Sequence, residues 1–361
     1  MKKITIMLIL FLILPFKVYG ISASSAIVMD LNSGRVLYKN NINDEKLIAS
    51  TTKIMTCLVA IRYGNLDQIV KVDEDVLKAY GSAIYIEVGE EITLRDLLYG
   101  LMLRSGNDAA IEIANAVSGS MQSFVYLMND TAKSIGMNNT VFYNNHGLEE
   151  SDGRGNLSTA YDMALLTREA MQDETFRKIF GTKNYVSKSS YKTYTWTSKN
   201  KLIHRYDYIT GGKTGYTEKA RRTLVTTASL DNKNLVVVTL NDPNDFQDHI
   251  ELYESIFSKY QALKVLDKNN FNIEKETYYK TANFKILNDY YALVTDKEKD
   301  DLKLKIELKK IKDYRNNQVV GEAKIYLNDE LLHSENVYIE KIEDQEKLSF
   351  FEKLVRWFKS W

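Results

Sequence analysis

The hydrophobic periodicity of this chain changes near residue 263, and the change divides it into two architectures. Beyond it, Leu302, Leu304, Ile306 and Leu308 alternate with Lys303, Lys305 and Glu307. A period of two puts one set of side chains on one face of a strand. Glu322–Leu327 and Val337–Ile339 carry the same texture, so residues 263–342 are expected to form a small all-β unit. Before residue 263, helical and strand periods are mixed. The spacing predicts helices over 50–63, 93–104, 107–117, 121–136, 158–171 and 247–260. Hairpins are expected at 24–40 and 185–197, and two buried strands at 222–230 and 234–241, joined by Asp231-Asn232-Lys233. Thr93 stands three residues before Asp96, a helix-capping pattern. The texture of residues 24–262 is therefore α/β or α+β.

The chain of 361 residues is long enough for two cores. Its 48 basic and 48 acidic residues balance, so nothing in the charge points to nucleic acid. Residues 1–23 read as a secretory signal peptide: Lys2 and Lys3 precede the apolar run Ile4–Phe16, with small residues following. That run falls short of the ~20 residues of a spanning helix, which favours cleavage over an uncleaved anchor. The chain is therefore expected to act outside the cytoplasm. Its one cysteine, Cys57, lies in the apolar run Ile54–Ala60 and is expected to be a buried, inert thiol. At the other end, residues 343–361 form an amphipathic helix by spacing. Leu348, Phe351, Leu354, Val355, Phe358 and Trp361 share one side, and Lys347, Lys353, Arg356 and Lys359 populate others. Aromatic and basic residues in that pattern suit a membrane interface, the alternative being a helix docked on the β unit.

Three short polar strings carry the chemistry. They are Ser50-Thr51-Thr52-Lys53, Ser105-Gly106-Asn107 and Lys213-Thr214-Gly215. Each alone is weak: Ser-x-x-Lys recurs at Ser189–Lys192 and Ser198–Lys201, and Ser-x-Asn recurs at Ser198–Asn200 and Ser334–Asn336. Setting separates the first trio. Ser50 opens an apolar helix, where free N–H groups favour negative charge. Lys53 lies three residues on and shares its face. A desolvated lysine there has a lowered pKa and can take the serine proton. The bland alternatives are a simple N-cap for Ser50 and a solvated first-turn residue for Lys53. Ser105-Gly106-Asn107 falls at a break between two apolar helices, and Gly215 permits close backbone approach by a ligand.

With these flanks, the chain resembles the low-molecular-mass penicillin-binding proteins, specifically the serine-type D-alanyl-D-alanine carboxypeptidases. The resemblance runs through Ile48–Thr56, Leu101–Ala110, Asn145-His146-Gly147-Leu148, Ser158–Ala164 and Gly212–Thr217. It implies a penicillin-binding/β-lactamase-like catalytic domain over 24–262, with an antiparallel sheet flanked by helices. By that resemblance Ser50 is the nucleophile, Lys53 the general base, and Ser105 the proton relay to the leaving amine. Asn107, Lys213, Thr214, Gly215 and Tyr216 bind substrate, with the backbone N–H groups of Ser50 and Tyr216 as oxyanion hole. The implied substrate is a peptidoglycan stem peptide ending in D-Ala-D-Ala. β-Lactams are the implied inhibitors, and no metal or cofactor is implied. The implied location is the extracytoplasmic face of a bacterial membrane or the cell wall. Two alternatives stand beside it, a β-lactamase and a penicillin sensor without turnover. The first would need a glutamate to activate the deacylating water, and nothing in the sequence fixes Glu149 or Glu150. His146 is expected to be a structural turn residue rather than part of a serine–histidine pair. Where many members of the family carry Ala-Gly after the third string, this chain has Ala220-Arg221-Arg222.

Overall fold

The computed structural model describes residues 20–273, 278–279 and 282–341. Most of the expected signal peptide and the whole of the expected terminal helix lie outside the described residues.

A five-stranded antiparallel sheet organises the larger unit, in the order Val36–Asn40, Ser25–Asp30, Lys233–Leu240, Arg221–Leu230 and Ile209–Thr217. The central strands are apolar on both faces because both faces are covered. Ile27, Met29, Val225, Val236 and Val238 face one core, and Ala26, Val28, Leu224, Leu235 and Val237 face a second. The first core is closed by α1 (Lys53–Tyr63), α2 (Leu94–Tyr99), α3 (Asn107–Ser118), α4 (Met121–Ser134), α5 (Ala160–Ala170) and α6 (Glu174–Phe180). The second is closed by α7 (Leu202–Arg205) and α8 (Asp245–Lys259). Cys57 lies fully buried in the first core, where burial pushes its thiol pKa up.

Most sequence-predicted elements are found, with instructive differences. Thr93 accepts a hydrogen bond from the Asp96 amide at 3.0 Å and caps α2, as its spacing predicts. The expected helix 93–104 does not continue as an α-helix. From Gly100 to Arg104 it widens into a π-helical turn and ends at Ser105, whose φ of 62° is left-handed. Such widened turns cluster at functional sites because they redirect a side chain without ending the helix. Helix α6 was not anticipated; seven residues are too few for a clear period, and Asp173 caps it from outside. Lys233 belongs to its strand, leaving a two-residue turn, Asp231-Asn232, with φ of 49° and 63°.

The smaller unit is all-β, as its period of two predicts. A four-stranded sheet runs Ala282–Lys285, Glu330–Lys341, Gln318–Leu327 and Leu302–Leu308, and a second pair joins Gln261–Leu266 to Tyr290–Val294. Leu304 departs from the pattern and is exposed, because its strand is the outermost of the sheet. Arg35, just before the strand Val36–Asn40, ties the two units together. It donates to the Leu293 carbonyl at 2.8 Å and forms an ion pair with Glu298.

Candidate active site

Ser50, Lys53, Ser105, Asn107, Lys213 and Thr214 come from three separate parts of the chain and meet at one cleft. Ser50 lies on a 3-10 turn, Ala49–Thr52, that leads into α1. Its side chain caps nothing, which removes the N-cap alternative. The turn is held from below: Thr51 Oγ1 donates to the Ile48 carbonyl at 2.6 Å, and Thr223 Oγ1 donates to the same oxygen at 3.1 Å. Ala49 has a left-handed φ of 47°, an unfavourable conformation for a residue with a Cβ. Gly147 packs directly on the Ala49 carbonyl, where any side chain would overlap it.

Lys53 is fully buried at the first position of α1, so the solvated alternative fails. Its Nζ lies 2.7 Å from Asn107 Oδ1, 2.6 Å from the His146 carbonyl and 3.2 Å from Ser50 Oγ. Burial holds its pKa well below the ordinary lysine range, and the charges of Lys213 and Lys199 lower it further. In the neutral form Lys53 has two N–H groups and one lone pair. Asn107 and His146 take the two shorter bonds, which leaves the lone pair for the Ser50 hydroxyl at the longest distance. The arrangement thus leaves the Lys53 lone pair free to accept a proton from Ser50.

Ser105 faces this pair from the π-helical turn. Lys213 Nζ donates to Ser105 Oγ at 3.1 Å and to the Thr214 carbonyl at 2.7 Å. Burial brings the Lys213 pKa down to about 7, with a further push from Lys199. Asn107 also braces the cleft wall, donating from Nδ2 to the Tyr80 carbonyl at 2.6 Å and from its amide to Ser82 at 2.7 Å. Its neighbour Asp108 holds the same wall by accepting from the amides of Ile84 and Tyr85 at 3.0 and 2.7 Å.

Lys213, Thr214, Gly215 and Tyr216 all lie within the edge strand Ile209–Thr217, whose outer side pairs with no strand among the described residues. An open strand edge beside a cleft is a template for an extended peptide. Gly215 also permits a close approach within the chain: a Cβ at 215 would lie 3.0 Å from the Ser50 amide nitrogen and overlap Thr223 Oγ1. Gly215→Ala is therefore expected to displace the Ser50 amide and lower kcat/KM by roughly 100-fold, the scale of a lost oxyanion donor. Unchanged kcat/KM in a variant with an unchanged melting temperature would count against this role.

Several residues of the site escaped the sequence reading. The His146 carbonyl, Ser82, Lys199, Lys201, Asp245 and Phe246 carried no signal of their own. Lys199 Nζ donates to Ser82 Oγ at 2.9 Å across the cleft. His146 has the structural role expected of it. Its Nδ1 accepts the Leu148 amide at 3.1 Å, and burial brings its pKa down to about 3, so the ring is neutral. The expectation that nothing fixes Glu149 and Glu150 is corrected. Glu149 accepts from Thr217 Oγ1, and Glu150 accepts from Asn144 Nδ2, each at 2.6 Å.

Residues 15–244 match the family model described as D-alanyl-D-alanine carboxypeptidase. The chain belongs to this family of penicillin-binding serine peptidases. Residues 260–344 match the C-terminal domain of penicillin-binding protein 5, which accounts for the all-β unit. D-alanyl-D-alanine carboxypeptidase DacF of Bacillus subtilis is 34% identical over 256 residues, covering 68% of this chain and 65% of that protein. The match thus spans just under two thirds of that relative's length. The penicillin-binding protein 5 structure from Haemophilus influenzae superposes with a TM-score of 0.71 at 25% identity, covering 89% of this chain and 97% of that one. A D-alanyl-D-alanine endopeptidase of Escherichia coli is also similar, 32% identical over 226 residues, covering 61% of this chain and 72% of that protein.

Proposed function

We propose that this chain removes the terminal D-alanine from peptidoglycan stem peptides through an acyl-enzyme on Ser50, and that β-lactams acylate the same atom. The single observation that carries the reading is the buried Lys53 amine. It is desolvated, oriented by Asn107 and the His146 carbonyl, and 3.2 Å from Ser50 Oγ.

The substrate lies extended along the outer edge of Ile209–Thr217, with its terminal carboxylate at Thr214. Neutral Lys53 takes the Ser50 proton as Oγ attacks the carbonyl between the two D-alanines. The backbone N–H groups of Ser50 and Tyr216 stabilise the oxyanion, at about 3–4 kcal/mol per donor. Ser105, bonded to Lys213, relays the proton that Lys53 took to the departing amine, so D-alanine leaves and Lys53 is neutral again. Water then attacks the ester, Lys53 takes its proton and returns it to Ser50 Oγ, and the shortened peptide is released. Labelling with a fluorescent penicillin, followed by peptide mapping and a D-alanine release assay, tests the reading. Label on Ser50 together with D-alanine release supports it. Label elsewhere overturns the nucleophile, and a stable adduct without D-alanine release overturns turnover.

The same reading places the mature protein outside the cytoplasm after loss of residues 1–23, with domains at 24–262 and 263–342. It also places the amphipathic segment 343–361 in the membrane interface. Among the described residues no helix is long and apolar enough to cross a membrane. Deleting residues 345–361 is expected to move the protein from the membrane to the soluble fraction. Undiminished retention on the membrane would sink the anchor.

A further inference from the structure

Two buried carboxylates lie beside the first described residues, far along the sheet from the nucleophile's own contacts. Asp242, two residues past the strand Lys233–Leu240, is fully buried, and Asp248, in the first turn of α8, is 5% exposed. Ser22 bridges them. Its amide donates to Asp248 Oδ2 at 2.6 Å, and its hydroxyl lies 2.8 Å from that oxygen and 2.9 Å from Asp242 Oδ1. A hydroxyl has one proton, so it serves only one carboxylate at a time. Asp242 Oδ1 also accepts the Asn244 amide at 3.0 Å, but Asp242 Oδ2 is buried with no hydrogen-bond partner among the described residues. Burial and the charge of Asp248 raise the Asp242 pKa to about 6. Neither carboxylate has an ion-pair partner among the described residues, and Arg222, on the adjoining strand, is engaged by Asp245 instead. Two like charges buried side by side call for a cation.

The residues next to Ser22 are part of the fold. Ala23 is buried in the second core, and Ile21 packs against that core. The Ala23 carbonyl accepts Asn40 Nδ2 at 3.2 Å, and the Ser24 amide donates to the Asn241 carbonyl at 3.0 Å. Gly20 is exposed, and a side chain there would meet nothing. Small residues permit a leader to be cut after Gly20 or after Ala23. A cut after Ala23 takes Ile21 and Ala23 from the second core and leaves both carboxylates without Ser22. A cut after Gly20 keeps all three residues and creates an α-amino group on Ile21. That nitrogen is three bonds from the Ser22 nitrogen and so within roughly 6 Å of Asp248 Oδ2, a range over which opposite charges act strongly on each other. With the usual α-amino pKa of about 7.7–8.0, it is mainly protonated at pH 7. The cut itself supplies the cation.

We propose that a leader peptidase cuts this chain between Gly20 and Ile21, and that the Ile21 ammonium so formed docks on Asp242 and Asp248 and fixes the mature N-terminus to the start of α8. The step is a hydrolysis: water adds to the Gly20 carbonyl, the amide bond breaks, Gly20 keeps a carboxylate and the Ile21 nitrogen takes up the protons. The proposal rests on the reading of residues 1–23 as a leader and moves its end from Ala23 to Gly20. Ser22 then acts as the hinge that holds the new terminus against the carboxylates.

The test expresses the full chain in an exporting bacterium and determines the N-terminus of the recovered protein by intact mass and N-terminal peptide mapping. A start at Ile21 is expected. A start at Ala23, Ser24 or any other residue past Met1 overturns the proposal while the leader reading stands. A protein that keeps residues 1–20 overturns the leader reading and the proposal with it. Docking is read by thermal melts of the processed protein and of one carrying two extra glycines before Ile21, each in the wild-type and Asp248→Asn backgrounds. The extension is expected to lower the melting temperature by roughly 2–4 °C in the wild-type background, the scale of one modest ion pair, and to have little effect in Asp248→Asn. Equal falls in both backgrounds would show lost packing rather than a lost ion pair, and no fall in either would remove the ammonium from the site; each result overturns the docking. Asp242→Asn provides the same comparison should Asp248→Asn not fold.

Discussion

Ser50→Ala is expected to abolish D-alanine release and penicillin labelling together, with the fold intact. Loss of a serine nucleophile removes the acyl-enzyme route entirely, and comparable losses are on the order of 10³–10⁶ in kcat. The fold should survive because the Ser50 side chain does little structural work. It caps neither the 3-10 turn nor α1, and its hydroxyl makes one long contact, with Lys53 Nζ at 3.2 Å. The turn is held instead by Thr51, Thr223 and the packing of Gly147 on Ala49. Stability should therefore stay within about 0.5–1 kcal/mol of wild type. Mass spectrometry after penicillin treatment, a D-alanine assay and a thermal melt check this together. Residual stoichiometric labelling of Ser50→Ala would move the nucleophile elsewhere.

Lys53→Arg is expected to lose at least about 10³-fold in kcat/KM at every pH between 5 and 9, because arginine stays protonated and cannot serve as base. In the proposed mechanism the base is neutral Lys53. An unperturbed lysine, with pKa near 10.4, would be almost wholly protonated at pH 7. Burial lowers the Lys53 pKa, so the neutral fraction is substantial far below the ordinary range. The sign follows directly. As pH falls through the lowered pKa, Lys53 gains a proton and kcat/KM falls. As pH rises above it, this limb of the profile levels off. Lys53→Arg should lack the limb altogether. A pH profile of acylation by penicillin on both proteins measures this. An acid limb that persists unchanged in Lys53→Arg would assign the titration, and the base, to another group.

The third string shows how far sequence reading reaches. Lys213, Thr214 and Gly215 stand out in the sequence as a set, but the close packing of Gly215 against Ser50 and Thr51 does not. The pairing of Thr223 with Gly215 depends on strand register, and no local pattern reports it. The His146 carbonyl was missed for a related reason. Every residue has a carbonyl, so a backbone ligand for Lys53 leaves no trace in residue type. Arg222 was visible as a departure from the resemblance. Its partner Asp245, 23 residues away, was not, since only the packing of α8 on the sheet joins them.

What the sequence determined by itself was local and periodic. The alternation after residue 263, the capped start of α2, the apolar run of α1 and the order of the three polar strings all reflect backbone dihedrals and burial over a few residues. Those features sufficed to name two architectures and a serine–lysine chemistry. The tertiary structure alone decided which atoms meet: Asn107 Oδ1 and the His146 carbonyl against Lys53, Lys213 against Ser105, and Arg222 against Asp245. Such meetings join residues tens to more than a hundred positions apart. They follow from how helices and strands with buried faces stack to exclude water, and that stacking is a property of the whole chain rather than of any segment.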